Sequence, residues 1–237
     1  MALHNLIFKE LSPLLKKGQR IASLGYPDIL AHSHCIEELL GDRLAGLVYR
    51  SDAEKICKWH GIEPQPIPES ASFFNAFGVT LDVYDIYPTR GSEIICDLNF
   101  PIDRKEEYDF VLDVGTLEHT FNIGQAALNA AGLLKQGGII YHSNPYQMGN
   151  HGFYGLNPTW FADFYGQPGF TLLWCKLMGK ADKEPFDVPP TKRFVLNGGE
   201  VNIFAAARRD EVKPIGFPMQ TKYAKLAAAE SGERRTA

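Results

Sequence analysis

Tyr108-Asp-Phe-Val-Leu-Asp-Val-Gly-Thr-Leu-Glu-His-Thr-Phe-Asn122 is the stretch on which the reading of this chain turns. Tyr108 to Asp113 carries apolar residues at its centre, the pattern of a short buried strand. Gly115 lets the backbone approach a ligand, and Glu118-His119 stands at the head of the next segment. A strand that ends in a glycine turn before a helix is how an open α/β sheet presents a site, because ligands lie outside the carboxyl ends of its strands.

The same alternation extends in both directions. Ala126 to Leu134 has the spacing of an amphipathic helix stopped by Gly137-Gly138, and Ile139 to Ser143 follows as a strand. Upstream, Arg20 to Gly25, Val79 to Asp85 and Glu93 to Asp97 read as strands. Downstream, Asn157-Pro158 opens a helix through Tyr165, and Phe170 to Lys176 and Val201 to Ala207 read as two strands joined by a charged excursion over 177–200. Residues 3–16 form a first helix. About fifty residues separate the first two strands, and this insertion, about 27–78, reads as helical near 29–40, 53–60 and 70–77, with Ser51 or Asp52 capping the second. Such βαβ alternation predicts an α/β fold with a mostly parallel sheet and right-handed crossovers. One domain over 1–210 is expected, with a polar tail over 211–237 whose last ten or so residues are expected to be disordered.

The composition narrows the function. The chain has 237 residues, with 24 Lys+Arg against 28 Asp+Glu and a net charge of -4, and neither sign forms a long block. A nucleic-acid partner that needs a basic face is not expected. No apolar run reaches the roughly 18 residues of a membrane span and the start lacks a signal-peptide cleavage pattern, so the expected location is the cytoplasm, with no membrane partner. Cys35, Cys57, Cys96 and Cys175 are too few and too scattered for a disulfide framework. No metal-site motif is complete, and no metal is expected. The sharpest alternative is a zinc site from His32 and Cys35 with Cys57 and His60, each pair being three residues apart.

Several side chains could carry chemistry. Asp85 ends a long strand, with Ile86 beside it; its carboxylate can accept both hydroxyls of a ribose, or it is a solvated strand end. Asp97-Leu98 can take the amine of adenine and pack on its ring, or Asp97 starts an Asx turn toward Pro101. After the fifth strand, Asn144-Pro145-Tyr146 and Asn150-His151-Gly152-Phe153-Tyr154 lie where a substrate would enter. Asn144 and His151 are the candidates in this cluster. Phe153, Trp160 and Phe161 read as packing, and His142 as core or as support behind the site.

"YDFVLDVGTLEH", followed by a helix and "LLKQGGIIYHSNP", resembles the fourth and fifth strand region of class I S-adenosylmethionine (SAM)-dependent methyltransferases. The run through "HTFN" and "NHGFYGLNPTWF" is similar to a bacterial subgroup of that superfamily, and together the motifs span about residues 79–165. The resemblance implies a Rossmann-like class I methyltransferase fold with a seven-stranded sheet, and SAM as cofactor. Asp85 and Ile86 would bind the ribose, Asp97 and Leu98 the adenine, and Asp113, Val114, Gly115 and Thr116 would border the methionyl part. Glu118 and His119 would lie at the mouth, with His119 a candidate base toward a nucleophile.

The chain departs from the resemblance at the first strand. Where the family has an acid and then G-x-G-x-G, this sequence has Ser23-Leu24-Gly25-Tyr26-Pro27-Asp28. Gly25 alone remains, which suggests a cofactor held differently, with Asp28 receiving its ammonium and Tyr26 facing its sulfonium. Methyl transfer to an O or N nucleophile of a small molecule is the implied activity. The altered loop leaves two alternatives open: a SAM-consuming cyclase of the azetidine-2-carboxylate synthase type that releases methylthioadenosine, and a binding module without catalysis.

Overall fold

Sixteen regular elements follow one another in a computed structural model that describes residues 2–88, 90–103, 105–180, 182–189, 192–196, 198–224 and 226. In chain order they are β1 (Ala2–Leu3), α1 (Asn5–Leu11), β2 (Arg20–Leu24), β3 (Asp28–Ile29), α2 (Ser33–Leu40), α3 (Ala53–His60), α4 (Ser70–Ala76), β4 (Thr80–Asp85), β5 (Ile94–Ile95), β6 (Tyr108–Val114), α5 (Ile123–Leu133), β7 (Leu134–Gln147), α6 (Pro158–Phe164), β8 (Phe170–Gly179), β9 (Phe186–Asp187) and β10 (Val201–Arg209).

The main sheet has the order β5-β4-β2-β6-β7-β10-β8-β9. Its first five strands are parallel, and β10, β8 and β9 pair antiparallel. Eight strands replace the expected seven, because Phe186–Asp187, inside the charged excursion, pairs with Lys176 and Leu177 at the sheet edge. Strand order turns outward on either side of β2 and β6, and the crevice at their carboxyl ends is the switch point at which α/β sheets bind ligands.

Strand parity divides the core between the two faces. Ala22, Leu24, Val111 and Ile140 pack under α5 and α6, while Ile21, Phe110, Leu112 and Tyr141 meet α1, α2 and α4. Helix α5 presents Ala126, Ala127, Ala130 and Ala131, all buried, so its backbone comes close to the sheet. It begins three residues earlier than expected because Asn122 caps it, its side chain accepting the Gln125 N–H. The chain then enters β7 at once, with Gly137 at φ 80° inside the strand rather than after a helix end.

The insertion is less helical than expected. Ile29, the expected start of a helix, instead lies in the strand Asp28–Ile29, which pairs in parallel with Ala2–Leu3, and the helix starts at Ser33. Asp52 precedes α3 without a side-chain cap bond, because its carboxylate is taken by Arg50 at 2.6 Å. Leu30, Ile56, Cys57 and Ile67 give the insertion its own small core. The chain after β10 packs back on α6 through Thr221 on Asp163 and on the turn after it through Gly216 on Gln167. The expected disorder at the end of the chain falls on 227–237, outside the described residues.

Candidate active site

A cavity of about 380 Å³ opens at the carboxyl ends of β2, β4, β5 and β6. Gly25, Tyr26, Asp28, Asp85, Ile86, Asp97, Leu98, Gly115, Thr116 and His119, all singled out in the sequence, line it together. Its volume lies in the range of small-ligand sites. Thr116 ties its floor together by donating its hydroxyl to the Leu24 carbonyl, across the adjacent ends of β6 and β2.

The adenosine-side residues lie on neighbouring strands. Asp85 ends β4, accepting the backbone N–H groups of Tyr26 and Tyr87, both at 3.3 Å. Asp97 follows β5, and its Oδ1 accepts the Asn99 N–H at 2.9 Å and the Asn99 amide at 2.7 Å. The Asx turn and the cavity position therefore coexist, with Oδ2 of Asp97 outside that turn. Leu98 is buried beside it.

Tyr26 and Asp28 are engaged with protein partners. The Tyr26 hydroxyl donates to Glu69 at 2.7 Å and accepts from the Ser70 N–H at 3.2 Å. Its ring carries the guanidinium groups of Arg90 at 4.7 Å and Arg50 at 5.5 Å. A ring that already holds two cations is poorly placed to receive a sulfonium. Burial raises the Tyr26 phenol above its ordinary value. Asp28 pairs with His60 at 3.1 Å and Arg90 at 3.4 Å, so its charge is already matched without a cofactor ammonium. Arg90, which the sequence reading passed over, lies on the cavity wall between these two residues.

Asp113 and Val114 do not line the cavity. By strand parity Asp113 shares the face of Val111, under α6, and it is wholly buried there. Its carboxylate accepts His142 Nδ1 at 2.7 Å, Asn144 Nδ2 at 3.0 Å and the N–H groups of Thr116 and Leu117 at 3.2 Å each. Asn144 is also buried, and its Nδ2 donates to Glu118 Oε2 at 3.0 Å. These two residues position Glu118 and the turn beside it and do not touch the cavity.

Glu118 is wholly buried, and burial, followed by the Asp113 charge, pushes its carboxyl up to about 7. The His119 and His151 rings stand against it, their centroids 5.2 Å apart. His119 is held below its ordinary value by burial first and by His151 second. Phe161 is core as expected, whereas Phe153 is exposed and stacks edge-on with Phe121 at 5.4 Å. The zinc alternative does not assemble. His60 turns to Asp28, Cys57 Sγ points to the Gln65 carbonyl, and neither joins a group of three donor side chains among the described residues.

No protein-family description matches the chain, and neither does any curated protein sequence. Solved structures do. A chain from the complex of the Haloferax volcanii Trm112 methyltransferase activator with a candidate methyltransferase superposes with a TM-score of 0.50 at 11% identity, over 87% of this chain and 90% of that one. The Burkholderia thailandensis 1,6-didemethyltoxoflavin-N1-methyltransferase, solved with that substrate and S-adenosylhomocysteine, gives 0.47 at 14% identity over 86% and 75%. The fold is the Rossmann-like class I methyltransferase fold, α/β, with the expected strand sequence and one added edge strand. Among the described residues no helix is long and apolar enough to cross a membrane.

Proposed function

We propose that this protein binds SAM in the cavity at the ends of β2, β4, β5 and β6 and transfers its methyl group to an O or N nucleophile of a small molecule. One observation carries the reading: Asp85 and Asp97, two carboxylates at the ends of adjacent parallel strands, line one cavity with Leu98, Gly25 and Gly115. In this pose the ribose hydroxyls donate to Asp85, the adenine amine meets Asp97, and the ring lies on Leu98. The methionyl end reaches Gly115 and Thr116, which line the same cavity.

The sulfonium already activates the methyl carbon, so the protein's task is to align donor and acceptor and to exclude water. The acceptor approaches past His119. Its proton passes to the cluster of Glu118, His119 and His151.

Calorimetric titration with SAM and with S-adenosylhomocysteine, followed by mass spectrometry of the products, tests the reading. Binding of both, and S-adenosylhomocysteine formed with an acceptor, is the expected result. Methylthioadenosine from SAM alone would replace methyl transfer with intramolecular cyclisation, and binding of neither compound would leave a fold without the cofactor.

A further inference from the structure

Among the described residues, one carboxylate oxygen of Glu118 has no donor. Oε2 is held by Asn144, but Oε1, in a side chain with 0% exposure, accepts no hydrogen bond among the described residues. A buried carboxyl oxygen left in that state is expensive. It faces His151 Nε2 at 3.5 Å and His119 Nε2 at 3.9 Å, and the three donor atoms lie within 4.8 Å of one another. Around an ion bound tetrahedrally at about 2.0–2.2 Å, such donors stand roughly 3.3–3.6 Å apart. The two imidazoles, about half exposed, need only small rotations to close that difference.

The positions are built rather than incidental. Asn144 is fixed on Asp113 and in turn orients Glu118, the kind of support that aims a ligating carboxylate. The loop that carries His151 is seated on Glu118 itself: the Phe153 N–H donates to the Glu118 carbonyl at 2.8 Å. Gly152 lies so close that a Cβ there would come within 2.8 Å of the same oxygen. His119 lines the cavity, so the cluster borders it at that residue.

We propose that Glu118 Oε1, His119 Nε2 and His151 Nε2 form a binding site for one divalent transition-metal ion, with Zn²⁺ as its representative, beside the cavity. Two imidazoles and one carboxylate suit Zn²⁺, Co²⁺ or Fe²⁺ better than Mg²⁺ or Ca²⁺, and three protein ligands leave coordination positions open. What the ion does there rests on the methyl-transfer reading. An acceptor oxygen or nitrogen on the ion loses its proton to water. Its lone pair then bonds the methyl carbon as the carbon–sulfur bond breaks, and that electron pair stays on sulfur as the thioether.

Titration of the chelator-treated, untagged full chain with Zn²⁺ in the absence of SAM tests the site without calling on activity. One ion per chain is expected, with affinity falling by about 30-fold or more in H151A and E118Q. Because His151 is on the surface, H151A keeps the melting temperature of the ion-free protein and decides the matter if E118Q folds poorly. Surface donors at His32, His34 and Cys35 are the competing explanation, so H34A must leave the stoichiometry unchanged. A Co²⁺ spectrum that changes in H151A and not in H34A is expected as well. No binding, or binding indifferent to H151A, overturns the proposal. If Zn²⁺ fails to bind while S-adenosylhomocysteine is still formed, the metal site falls and the methyltransferase stands; the opposite result separates them the other way.

Discussion

Asp113 and His142 stand opposite one another in the parallel pairing of β6 and β7, and their side chains meet at 2.7 Å in the wholly buried layer under α6. The carboxylate fixes the proton on His142 Nδ1, which leaves Nε2 to accept from the Tyr165 hydroxyl at 2.6 Å. Burial keeps that phenol a donor by raising it well above its ordinary value. Through Asn144 the same carboxylate reaches Glu118, so one buried chain of hydrogen bonds runs from α6 to the edge of the cavity.

Replacing His142 by Phe is therefore expected to destabilise the protein by about 3 kcal/mol, because it strips a buried carboxylate of its main donor. Tyr165→Phe removes one neutral hydrogen bond and is expected to cost about 1 kcal/mol. Urea unfolding checks the ranking. Equal costs for the two variants would mean that Asp113 finds another donor.

Asp85→Ala and Asp97→Ala each remove two hydrogen bonds within the cavity loops and are expected to cost about 1–2 kcal/mol of stability and to weaken SAM binding by about 10- to 100-fold, the worth of one or two charged hydrogen bonds. Titration calorimetry with S-adenosylhomocysteine measures it. Asp97→Asn, which keeps the turn to Asn99, separates the role in binding from the role in the loop. Full affinity in both alanine variants would remove the adenosine pose.

The sheet was legible because its strands carry their signal locally: Tyr108 to Asp113 is apolar over Phe110 to Leu112 and ends on an acid, and Thr80 to Asp85 ends on one too. The cavity wall at Asp85, Asp97 and Gly115 followed from strand ends alone. Asp113 was misplaced on that wall, although strand parity from Val111 puts its side chain in the core. His151 is 33 residues beyond Glu118, and only the fold of the 150–153 loop brings them together, so no spacing in the sequence could show the cluster. Arg90 was missed because a lone arginine in a loop carries no pattern, and β9 because a strand of two residues has no period.

Glu69 supplies a pH dependence of stability. Burial works against its ionisation, but the Ser72 N–H, the Tyr26 hydroxyl, the Ala71 N–H and the Arg50 charge outweigh it and hold the carboxyl below its ordinary value of 4.5. A group depressed in the folded state stabilises the protein above its unfolded value and loses that contribution as pH falls through the folded one. Glu69 therefore contributes fully above about pH 5 and progressively less below about pH 4. Glu69→Gln is expected to cost about 1 kcal/mol at pH 7, as loss of a helix N-cap does, and to flatten the acid limb of a melting-temperature profile. Parallel profiles for the two proteins would show that the acid limb arises elsewhere.

Gly115 joins the floor of the cavity to Glu118. Its φ of 79° is left-handed, and a Cβ there would lie 3.3 Å from Glu118 Oε1. Gly115→Ala is expected to cost about 1–2 kcal/mol from backbone conformation alone. The added methyl group also presses on Glu118 and on the space given to the methionyl end of SAM, so affinity for S-adenosylhomocysteine should fall by about tenfold or more. Gly137→Ala provides the comparison: its φ of 80° imposes a similar backbone penalty, but nothing lies within 4 Å of its Cβ. It should lose stability and keep affinity. If both variants lose stability alike and neither loses affinity, the methionyl end does not lie against Gly115, and the pose must be turned within the cavity.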